Sequence, residues 1–254
     1  MTHWTISHKW ERYLTLLKDP EIKEYLPETK IYNKSSLSEM LNRYPSVFIK
    51  PIIGTGGRGI IKVSKADNQY VLQFVGIKKT FNDMEKLSSV TDSIVKKQGY
   101  MVQQGIEMIK IDQRPIDFRI LVLKPYFKWE KMGVIGKIAG KNKFITNKAK
   151  GGKPISLAKA LKKSLNYSEQ QIKETESLLL SIAVRTGKIL SKKYSYVREI
   201  GMDVAVDQNG KIWVFETNSM PMYELFRAHH DKDLYLRIHR YIMHIRRNYY
   251  RKRV

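Results

Sequence analysis

Three oxygen-bearing side chains stand within an apolar stretch near the C-terminus, which reads REIGMDVAVDQNGKIWVFETNSMP from Arg198 to Pro221. Glu216 and Asn218 are two residues apart, so in a strand they share one face and lie roughly 6.6–6.8 Å apart along it. Asp203 lies on the preceding predicted strand and comes opposite them if the two strands pair as a hairpin. Two carboxylates and an amide that converge suit a hard cation such as Mg²⁺, which takes oxygen ligands and is usually shared with phosphates.

The same stretch predicts the hairpin that would bring these side chains together. Its strands are expected at Gly201–Val206 and Lys211–Glu216, joined by a turn over residues 207–210. Asn-Gly between two apolar runs is a strong turn signal, because glycine accepts the positive φ of a tight hairpin. A half-exposed hairpin with polar residues on its solvent face shows the same pattern, so the choice between the two depends on the rest of the chain.

A glycine-rich loop forms a second candidate site. The segment PIIGTGGRGI has four glycines in six positions and lies between two β-branched strands, Ser46–Lys50 and Ile60–Val63. The backbone N–H groups of such a loop can close onto an anion, and Lys50 before the loop and Arg58 within it suit phosphate. A strand rather than a helix follows, and there is no G-K-[ST], so this is neither a Walker A loop nor a dinucleotide fingerprint. An ordinary hairpin tip is the alternative.

A third candidate is Arg119, which precedes the strongly apolar strand Ile120–Val122. A charged side chain at the start of a buried strand needs an anionic partner. Either a bound anion or a structural ion pair with a residue such as Asp117 would provide that partner.

Net charge is the feature of the composition that departs from the ordinary. The 254 residues include 47 Lys and Arg against 24 Asp and Glu, which gives a formal net charge of +23. This excess predicts attraction to an anionic partner, such as a nucleotide, a nucleic acid, an acidic peptide or an anionic surface. A generally lysine-rich composition without such a partner is the alternative.

Several classes of protein are excluded by the composition. There is no cysteine, so a disulfide framework, a thiolate zinc site and a cysteine nucleophile are ruled out. No apolar run approaches the roughly 18 residues of a membrane span, and the N-terminus does not resemble a signal peptide. We therefore expect no membrane span and a cytoplasmic location.

The elements that must position the candidate residues follow from periodicity and capping signals. Residues 7–18 predict a helix whose apolar face carries Trp10, Tyr13, Leu14 and Leu17. Further helices are predicted from a capping box at Ser36 to Arg43, from Asn82 to about Lys97, and over Leu157–Leu165, Ser168–Lys192 and Leu225–Arg251. Further strands are predicted at Gln69–Val75, Tyr100–Gln104 and residues 130–140. A basic loop, Lys141–Lys153, is expected to be mobile without a ligand.

The C-terminal residues RRNYYRKRV combine cations with two tyrosines. Such a run suits stacking on and gripping a nucleic acid. A solvated basic helix end, which complements the helix dipole, is the favoured alternative.

Taken together, these segments resemble the ATP-grasp superfamily and, within it, the YheC/YheD group of endospore coat-associated proteins. The matching pieces are collinear between about residues 8 and 221. They are Lys9-Trp10, Leu26-Pro27-Glu28-Thr29, FIKP with GTGGRGI, VQQGIE, RPIDFRILV, TNKAKGG and EIGMDVAVDQNGKIWVFETNS.

The resemblance implies an α+β ATP-grasp fold, in which two α+β lobes with antiparallel sheets clasp ATP. It implies an N-terminal helical segment at residues 1–44, a small lobe at 45–107, a large lobe at 108–225 and a basic C-terminal helix at 226–254. A pre-grasp N-terminal domain, which ATP-grasp enzymes usually carry, is expected to be lacking or to be supplied by a partner protein or a second copy of the chain.

The resemblance also implies roles for individual residues. Lys50 would bind the α- and β-phosphates, the glycine loop would cover the triphosphate, the backbone of residues 103–106 would read adenine, and Glu107 would reach the ribose. The implied ATP-binding residues are Lys9, Lys50, Gly54, Thr55, Gly56, Gly57, Arg58, Gly59, Gln103, Gln104, Gly105, Ile106 and Glu107. The implied Mg²⁺ ligands are Asp203, Glu216 and Asn218, and the implied catalytic residues are Arg119, Lys137 and Asn147.

Arg119 would hold the γ-phosphate or an acyl-phosphate. Two departures from the family pattern concern the substrate. Lys137 stands where many relatives have arginine, so two-pronged recognition there is weaker. Lys148 and Lys150 stand where leucine and arginine are expected.

The activity implied by the resemblance is ATP- and Mg²⁺-dependent carboxylate–amine ligation through an acyl-phosphate. The substrates would be small-molecule or peptide carboxylates and amines, and the net charge favours acidic ones. The resemblance also suggests association with the spore coat. A coat or scaffold protein that binds nucleotide without turnover and a basic nucleic-acid-binding module are the alternatives.

Overall fold

The computed structural model describes residues 8–54, 56–66, 69–74, 76–95, 99–140 and 152–250. The chain folds into two compact units. The smaller unit contains residues 8–10 and Pro27–Ile106, and the larger unit contains Glu11–Leu26 and residues 107–250. The domain limits expected from the sequence at residues 44, 107 and 225 stay predictions beside this division.

A six-stranded antiparallel sheet forms the centre of the smaller unit, in the order β1-β6-β2-β3-β4-β5. The strands are β1 (Thr29–Ile31), β2 (Ser46–Pro51), β3 (Ile61–Ala66), β4 (Gln69–Phe74), β5 (Ile77–Phe81) and β6 (Tyr100–Gln104). Alternate residues of these strands, such as Val47, Ile49 and Val63, pack with α3 (Lys34–Arg43) and α4 (Met84–Ile94) in one apolar core. Because side chains alternate along a strand, Phe48 and Lys50 point to the other face, as does Lys62, the register partner of Phe48.

Two helix starts in the smaller unit differ from the prediction. The capping box of α3 is formed by Asn33 and Ser36, not by Ser36 and Glu39. The Asn33 side chain accepts from the Ser36 N–H at 2.8 Å, and the Ser36 hydroxyl accepts from the Asn33 N–H at 2.9 Å. Helix α4 likewise begins after Asp83, whose carboxylate accepts from the Lys86 N–H, rather than after Asn82.

The larger unit is built on a five-stranded antiparallel sheet in the order β10-β9-β8-β11-β12, with β7 also paired to β8. Its strands are β7 (Lys110–Ile111), β8 (Arg114–Leu123), β9 (Glu130–Ile138), β10 (Lys153–Ile155), β11 (Glu199–Val206) and β12 (Ile212–Asn218). Its helices are α1 (Lys9–Leu17, from Glu11 onward), α2 (Pro20–Lys23), α5 (Leu157–Leu165), α6 (Glu169–Lys193) and α7 (Lys232–Ile245). The predicted hairpin is thus confirmed as β11 and β12, with Gly210 at φ 81° in the turn.

The two faces of this sheet are covered differently. Even-numbered β8 residues, including Phe118 and Ile120, pack in one core with α5 and α6. Odd-numbered residues Leu121 and Leu123 pack with α7 and a 3-10 helix, Glu224–Ala228, on the opposite face. The remainder of that second face is polar and carries the candidate site.

The predicted apolar face of α1 is wrong. Leu14 is 39% exposed, whereas Arg12 is 6% and Leu16 is 2% exposed. The buried face combines Leu16, which packs in the apolar core, with Arg12, which lies 3.6 Å from the Glu216 carboxylate on β12, so apolar packing and a charged contact both contribute to the orientation of the helix.

The C-terminal segment is less continuous than predicted, and its first cation is already engaged. The 3-10 helix ends at Ala228, α7 follows, and Arg246–Tyr250 form a π-helical turn. Arg246 donates two hydrogen bonds, at 3.2 and 3.3 Å, to the fully buried carboxylate of Glu199 on β11. Residues 251–253 of the predicted nucleic-acid-binding run lie outside the described residues. Within the described part of the chain, no helix is both long and apolar enough to cross a bilayer.

The Glu199–Arg246 pair generates a pH-dependent stability prediction. Arg246→Met leaves the buried carboxylate without its cation and should lower the free energy of unfolding by about 2–3 kcal/mol at pH 7, less than the roughly 3–5 kcal/mol of a fully buried pair because Arg246 is 38% exposed and its charge is partly screened by solvent. Burial raises the pKa of Glu199, and Arg246 only partly offsets that rise. A raised folded-state pKa means that a proton on Glu199 stabilises the fold at low pH, and this contribution is lost as the pH rises.

Urea titrations between pH 4 and pH 7 check this. The gap between wild type and Arg246→Met should be small at pH 4 and widen towards pH 7. The double variant Glu199→Gln/Arg246→Met, which removes both charges, should lose less stability than the single variant at pH 7. A gap that is constant with pH would contradict the pairing.

Candidate functional site

A row of charged side chains crosses four adjacent strands of the larger unit. Register places Lys137 of β9 opposite Asp117 of β8, Arg119 of β8 opposite Asp203 of β11, and Asp203 opposite Glu216 of β12. Because residues directly opposite each other point to the same face, these five side chains share the polar face of the sheet. The pairing of four strands therefore gathers residues that are far apart in the sequence.

Asp203 is the centre of this charged row. Its carboxylate accepts hydrogen bonds from Arg119 Nε at 3.0 Å and Nη2 at 2.9 Å, and from Lys137 Nζ at 2.8 Å. Lys137 Nζ also lies 3.0 Å from Asp117 Oδ1. These four side chains are only 12–17% exposed, so the charges lie in a region of low dielectric and depend on one another.

The ionisation states of these groups follow from their mutual pairing. Burial alone would raise the pKa of Asp203, but the charges of Arg119 and Lys137 outweigh it and hold the pKa well below its usual range. Burial lowers the pKa values of both cations, and the nearby carboxylates, Asp203 first and Asp117 second, more than reverse this. At neutral pH Asp203, Arg119 and Lys137 are therefore all ionised, which suits the binding of a charged phosphate or metal ion.

Glu216 and Asn218 complete the predicted set of oxygen donors. Asn218 Nδ2 lies 3.4 Å from Asp203 Oδ2, and Arg12 of α1 lies 3.6 Å from Glu216 Oε1. The predicted trio is thus brought together on β11 and β12. Among the described residues no three His, Cys, Asp or Glu side chains gather into a metal cluster, so a metal here would need the Asn218 amide as its third oxygen.

The chemistry of this donor set fits Mg²⁺, which prefers carboxylate and amide oxygens. The hydrogen bonds that Asp203 already accepts limit how a metal ion can bind to it. A carboxylate has about four acceptor positions, and those of Asp203 already receive two N–H groups from Arg119, one from Lys137 and the Asn218 amide. A directly bound cation must replace one donor. The 3.4 Å Asn218 contact is the weakest, and a rotated amide would present its oxygen instead.

At Gly201, next to this row, the structure leaves no room for a side chain. A β-carbon on Gly201 of β11 would lie 2.4 Å from Pro221 Cβ and 3.1 Å from Arg119 Nη1. Glycine therefore lets the segment after β12 fold back over the sheet while leaving room for the Arg119 guanidinium.

The smaller unit holds most of the predicted nucleotide-binding residues. Lys50 Nζ donates to Gln103 Oε1 at 2.5 Å and lies 5.7 Å from the centre of the Phe48 ring. Gln103 Nε2 in turn donates to Thr29 Oγ1 at 3.0 Å. The Lys50 ammonium is therefore held on the sheet face opposite the apolar core.

The predicted adenine-reading segment has some of its backbone donors engaged. The Gln104 N–H donates to the Glu28 carbonyl and the Gly105 N–H to the Ser46 carbonyl, each at 2.8 Å. In the larger unit, Glu107 begins the chain after this segment and lies 2.9 Å from Lys110 Nζ. The roles expected for Gln103 to Glu107 stay predictions.

The glycine loop adopts backbone conformations that require glycine. Gly56 and Gly57 have φ values of 70° and 67°, in the left-handed region where a β-carbon is strained. Arg58 and Gly59 follow in the same turn, and Gly54 precedes it. Thr55 lies outside the described residues, as do Asn147, Lys148 and Lys150, and the roles expected for them stay predictions.

Helix α1 carries two buried basic residues, Lys9 and Arg12, of which only Lys9 was predicted to belong to the site. Lys9 is predicted as a phosphate ligand and is 8% exposed, and its N–H donates to the Ile52 carbonyl at 3.0 Å. Arg12, which belongs to the larger unit, was not predicted from the sequence. The spacing of Lys9, Arg12 and Leu16 at i, i+3 and i+7 is the signal that could have identified the buried face.

Comparison with known proteins places this geometry in a family. A family model described as YheC/D-like ATP-grasp matches residues 1–246. The chain is 30% identical over 231 residues to the endospore coat-associated protein YheD of Bacillus subtilis (strain 168), a match that covers 87% of this chain and 50% of YheD. The chain thus spans about half the length of this relative.

Solved structures share the fold at low sequence identity. D-alanyl-alanine synthetase A from Vibrio cholerae O1 biovar eltor superposes with a TM-score of 0.58 at 11% identity, over 96% of this chain and 65% of that one. The ATP-grasp ligase PsnB, in complex with a phosphomimetic variant of its minimal precursor, Mg and ADP, gives 0.52 at 12% identity, over 94% and 58%. The predicted α+β ATP-grasp fold is confirmed.

The buried charges generate a prediction that is independent of any ligand. Asp203→Asn leaves Arg119 and Lys137 with only part of their counter-charge, so the free energy of unfolding at pH 7 should fall by about 3–5 kcal/mol. The control Asp112→Asn removes an exposed carboxylate that lies 3.1 Å from Arg114 and should cost less than about 1 kcal/mol.

The loss of stability caused by Asp203→Asn should depend on pH. Because the folded-state pKa of Asp203 is lowered, its stabilisation is present above the ordinary Asp value of about 3.9 and is lost as the pH falls through the folded-state value. Denaturant titrations should show the difference between wild type and Asp203→Asn shrinking on acidification. Equal losses in Asp203→Asn and Asp112→Asn would refute the network.

Proposed function

The chain belongs to the YheC/D-like ATP-grasp family, and on that premise we propose that it is an ATP- and Mg²⁺-dependent carboxylate–amine ligase. The observation that carries the proposal is the meeting of three oxygen donors with two buried cations on one sheet face: Asp203, Glu216 and Asn218 with Arg119 and Lys137. Oxygen donors suit a metal ion that accompanies phosphates, and adjacent cations suit the charge that develops on a transferring phosphoryl group.

The proposed reaction has two steps. A carboxylate oxygen of the first substrate attacks the γ-phosphorus of ATP, the bond to the β-phosphate oxygen breaks, and ADP leaves. An amine then attacks the acyl carbon, loses a proton, and expels inorganic phosphate as the C–O bond breaks. Neither step needs a side-chain nucleophile, which agrees with the absence of cysteine from the sequence.

Each group of residues has a separate role in this proposal. Lys50, with the Gly56–Gly59 turn, would hold the phosphates by charge and backbone N–H groups. Arg119 and Lys137 would neutralise charge on the transferring phosphoryl group, because a buried cation acts more strongly than a solvated one. Asp203, Glu216 and Asn218 would hold Mg²⁺, which when bound supplies further charge neutralisation at the phosphates.

Arg12 and Asp117 would act through these residues. Arg12 lies 3.6 Å from Glu216 and Asp117 lies 3.0 Å from Lys137, so each fixes a charged group without belonging to the predicted donor set. The protein would then work mainly by positioning and charge compensation, as in other phosphoryl transfers.

The substrates are inferred only as a chemical class. PsnB is an ATP-grasp ligase whose structure holds a variant of its minimal precursor, and the V. cholerae protein is a D-alanyl-alanine synthetase. By analogy, carboxylate and amine substrates are proposed here. The net charge of +23 favours acidic ones. Association with the spore coat is proposed from the name of YheD.

Calorimetric titration of AMP-PNP with and without Mg²⁺ tests the nucleotide site. Wild type should bind in a magnesium-dependent manner, and Glu216→Gln should weaken that binding at least about tenfold, since one charge-bearing metal ligand is removed. Glu224→Gln, an equivalent change at an exposed glutamate of the 3-10 helix, should leave binding unaltered.

Turnover is tested separately by ADP release in mixtures of carboxylates and amines. Magnesium-dependent binding without ADP release on any acceptor panel, acidic ones included, would favour a scaffold that binds nucleotide. Absence of nucleotide binding to wild type would contradict the proposal itself.

A further inference from the structure

A cleft of about 470 Å³ lies on the larger unit, between α6 and the turn that joins β8 to β9. It is beside α6, which covers one face of the sheet, whereas the charged row of Asp203 lies on the opposite face. The lining is basic and aromatic. It includes Lys124, Lys128, Lys188, Lys192, Phe127 and Trp129.

The cleft concentrates positive charge from two directions. Lys124 and Lys128 come from the turn, while Lys188 and Lys192 are one helical turn apart on α6. Among the described residues, the one carboxylate within ion-pair distance of these four lysines is Glu130, 3.8 Å from Lys128. Like charges spaced i, i+4 on a helix repel each other, so a bound anion would relieve a repulsion that is present in the free protein.

The sequence of α6 adds to this excess of positive charge. From Ser177 to Lys193 the helix contains no Asp or Glu, although its N-terminal half contains three Glu residues. The basic half therefore has no acidic partners of its own along the helix. Two of its cations, Lys188 and Lys192, line the cleft, whereas Arg185 pairs with Asp19 and Glu21 away from it.

An apolar surface adjoins these cations. Phe127, at the tip of the turn, is 95% exposed, which is unusual for a large aromatic side chain. Trp129 packs on α6 over Gly187, where a β-carbon would lie 2.8 Å from the indole ring. One ring is thus open to a ligand, and the other forms part of the wall.

We propose that this cleft docks an acidic peptide segment in which an apolar side chain lies next to two or more carboxylates. The lysine ammonium groups match single carboxylates as point charges, and Phe127 offers an apolar contact for the neighbouring side chain. The volume is within the range of about 300–1,000 Å³ that is usual for compact ligand sites.

Nucleic acid fits the cleft less well. Single strands are bound along a groove by successive stacking platforms, and Phe127 is the one fully open ring in the lining. The lining also contains no arginine, the side chain best suited to paired hydrogen bonds with phosphate. This docking site does not depend on the proposed ligase reaction.

Fluorescence anisotropy of a labelled peptide, Asp-Glu-Phe-Glu-Asp-Glu, with the full chain tests the proposal. We expect saturable binding that weakens with added salt. Lys188→Glu/Lys192→Glu should lower the affinity at least about tenfold, since two attractions become repulsions. Phe127→Ala should lower it roughly three- to tenfold without changing the salt dependence, because the lost contact is apolar.

The matched control is Lys162→Glu/Lys163→Glu, which makes the same charge change at exposed lysines of α5. It should retain the wild-type affinity within about twofold. Replacing the peptide phenylalanine with serine should reproduce the effect of Phe127→Ala. Circular dichroism confirms that each variant is folded.

Three results would overturn the proposal. The first is that wild type fails to bind the peptide. The α5 and α6 variants could lose affinity equally, which would indicate general attraction to a basic protein. An oligonucleotide of the same charge could bind more tightly than the peptide and depend equally on Lys188 and Lys192, which would assign the cleft to nucleic acid.

Discussion

The pairing of Asp203 with Arg119 and Lys137 is the interaction on which the polar face of the larger unit depends. Removing three charges from water costs several kcal/mol for each ion, and this cost is offset only when the hydrogen-bonding positions are filled. Here Arg119 fills two acceptor positions of the Asp203 carboxylate and Lys137 fills another. The three residues come from three strands, so their contacts form only when β8, β9 and β11 are all in register.

The need for these contacts also constrains the register of the other strands in the sheet. A slip of one residue in β8 would turn Arg119 towards the apolar core that contains Phe118 and Ile120, so the charges and the core specify the same register. Along one face of β11, Asp203 pairs with cations, Gly201 accommodates Pro221, and Glu199 anchors Arg246 after α7. One strand therefore connects the candidate site to the packing of the C-terminal helix.

Local signals in the sequence were sufficient for much of the fold. The Asn-Gly turn and the apolar runs beside it predicted the β11–β12 hairpin and its three oxygen donors, because these features depend on neighbouring residues. The requirement of Arg119 for an anionic partner was also predicted. The identity of that partner was not: Asp117 was considered, but Asp203, 84 residues later, forms the hydrogen bonds. Contacts set by strand pairing cannot be obtained from local spacing.

The two errors in the helices have different origins. Ser36 matched a capping pattern with Glu39, yet the chain entering α3 from β1 places Asn33 at the cap. The face of α1 was assigned from Trp10, Tyr13, Leu14 and Leu17, whereas the buried face carries Leu16 and Arg12, and Arg12 contacts Glu216 on a strand some 200 residues away in the sequence. A long-range contact, which no neighbouring residue indicates, places Arg12 beside one of the candidate metal ligands.

A crystal structure with Mn²⁺ and AMP-PNP would test the central claim most directly, since Mn²⁺ accepts the same oxygen donors as Mg²⁺ and is located by its anomalous scattering. The account predicts an anomalous peak within coordination distance of Asp203, Glu216 and Asn218, with the Asn218 amide turned from its hydrogen bond so that its oxygen faces the metal. A nucleotide bound with no peak at these residues, and with the Asn218–Asp203 contact intact, would contradict it.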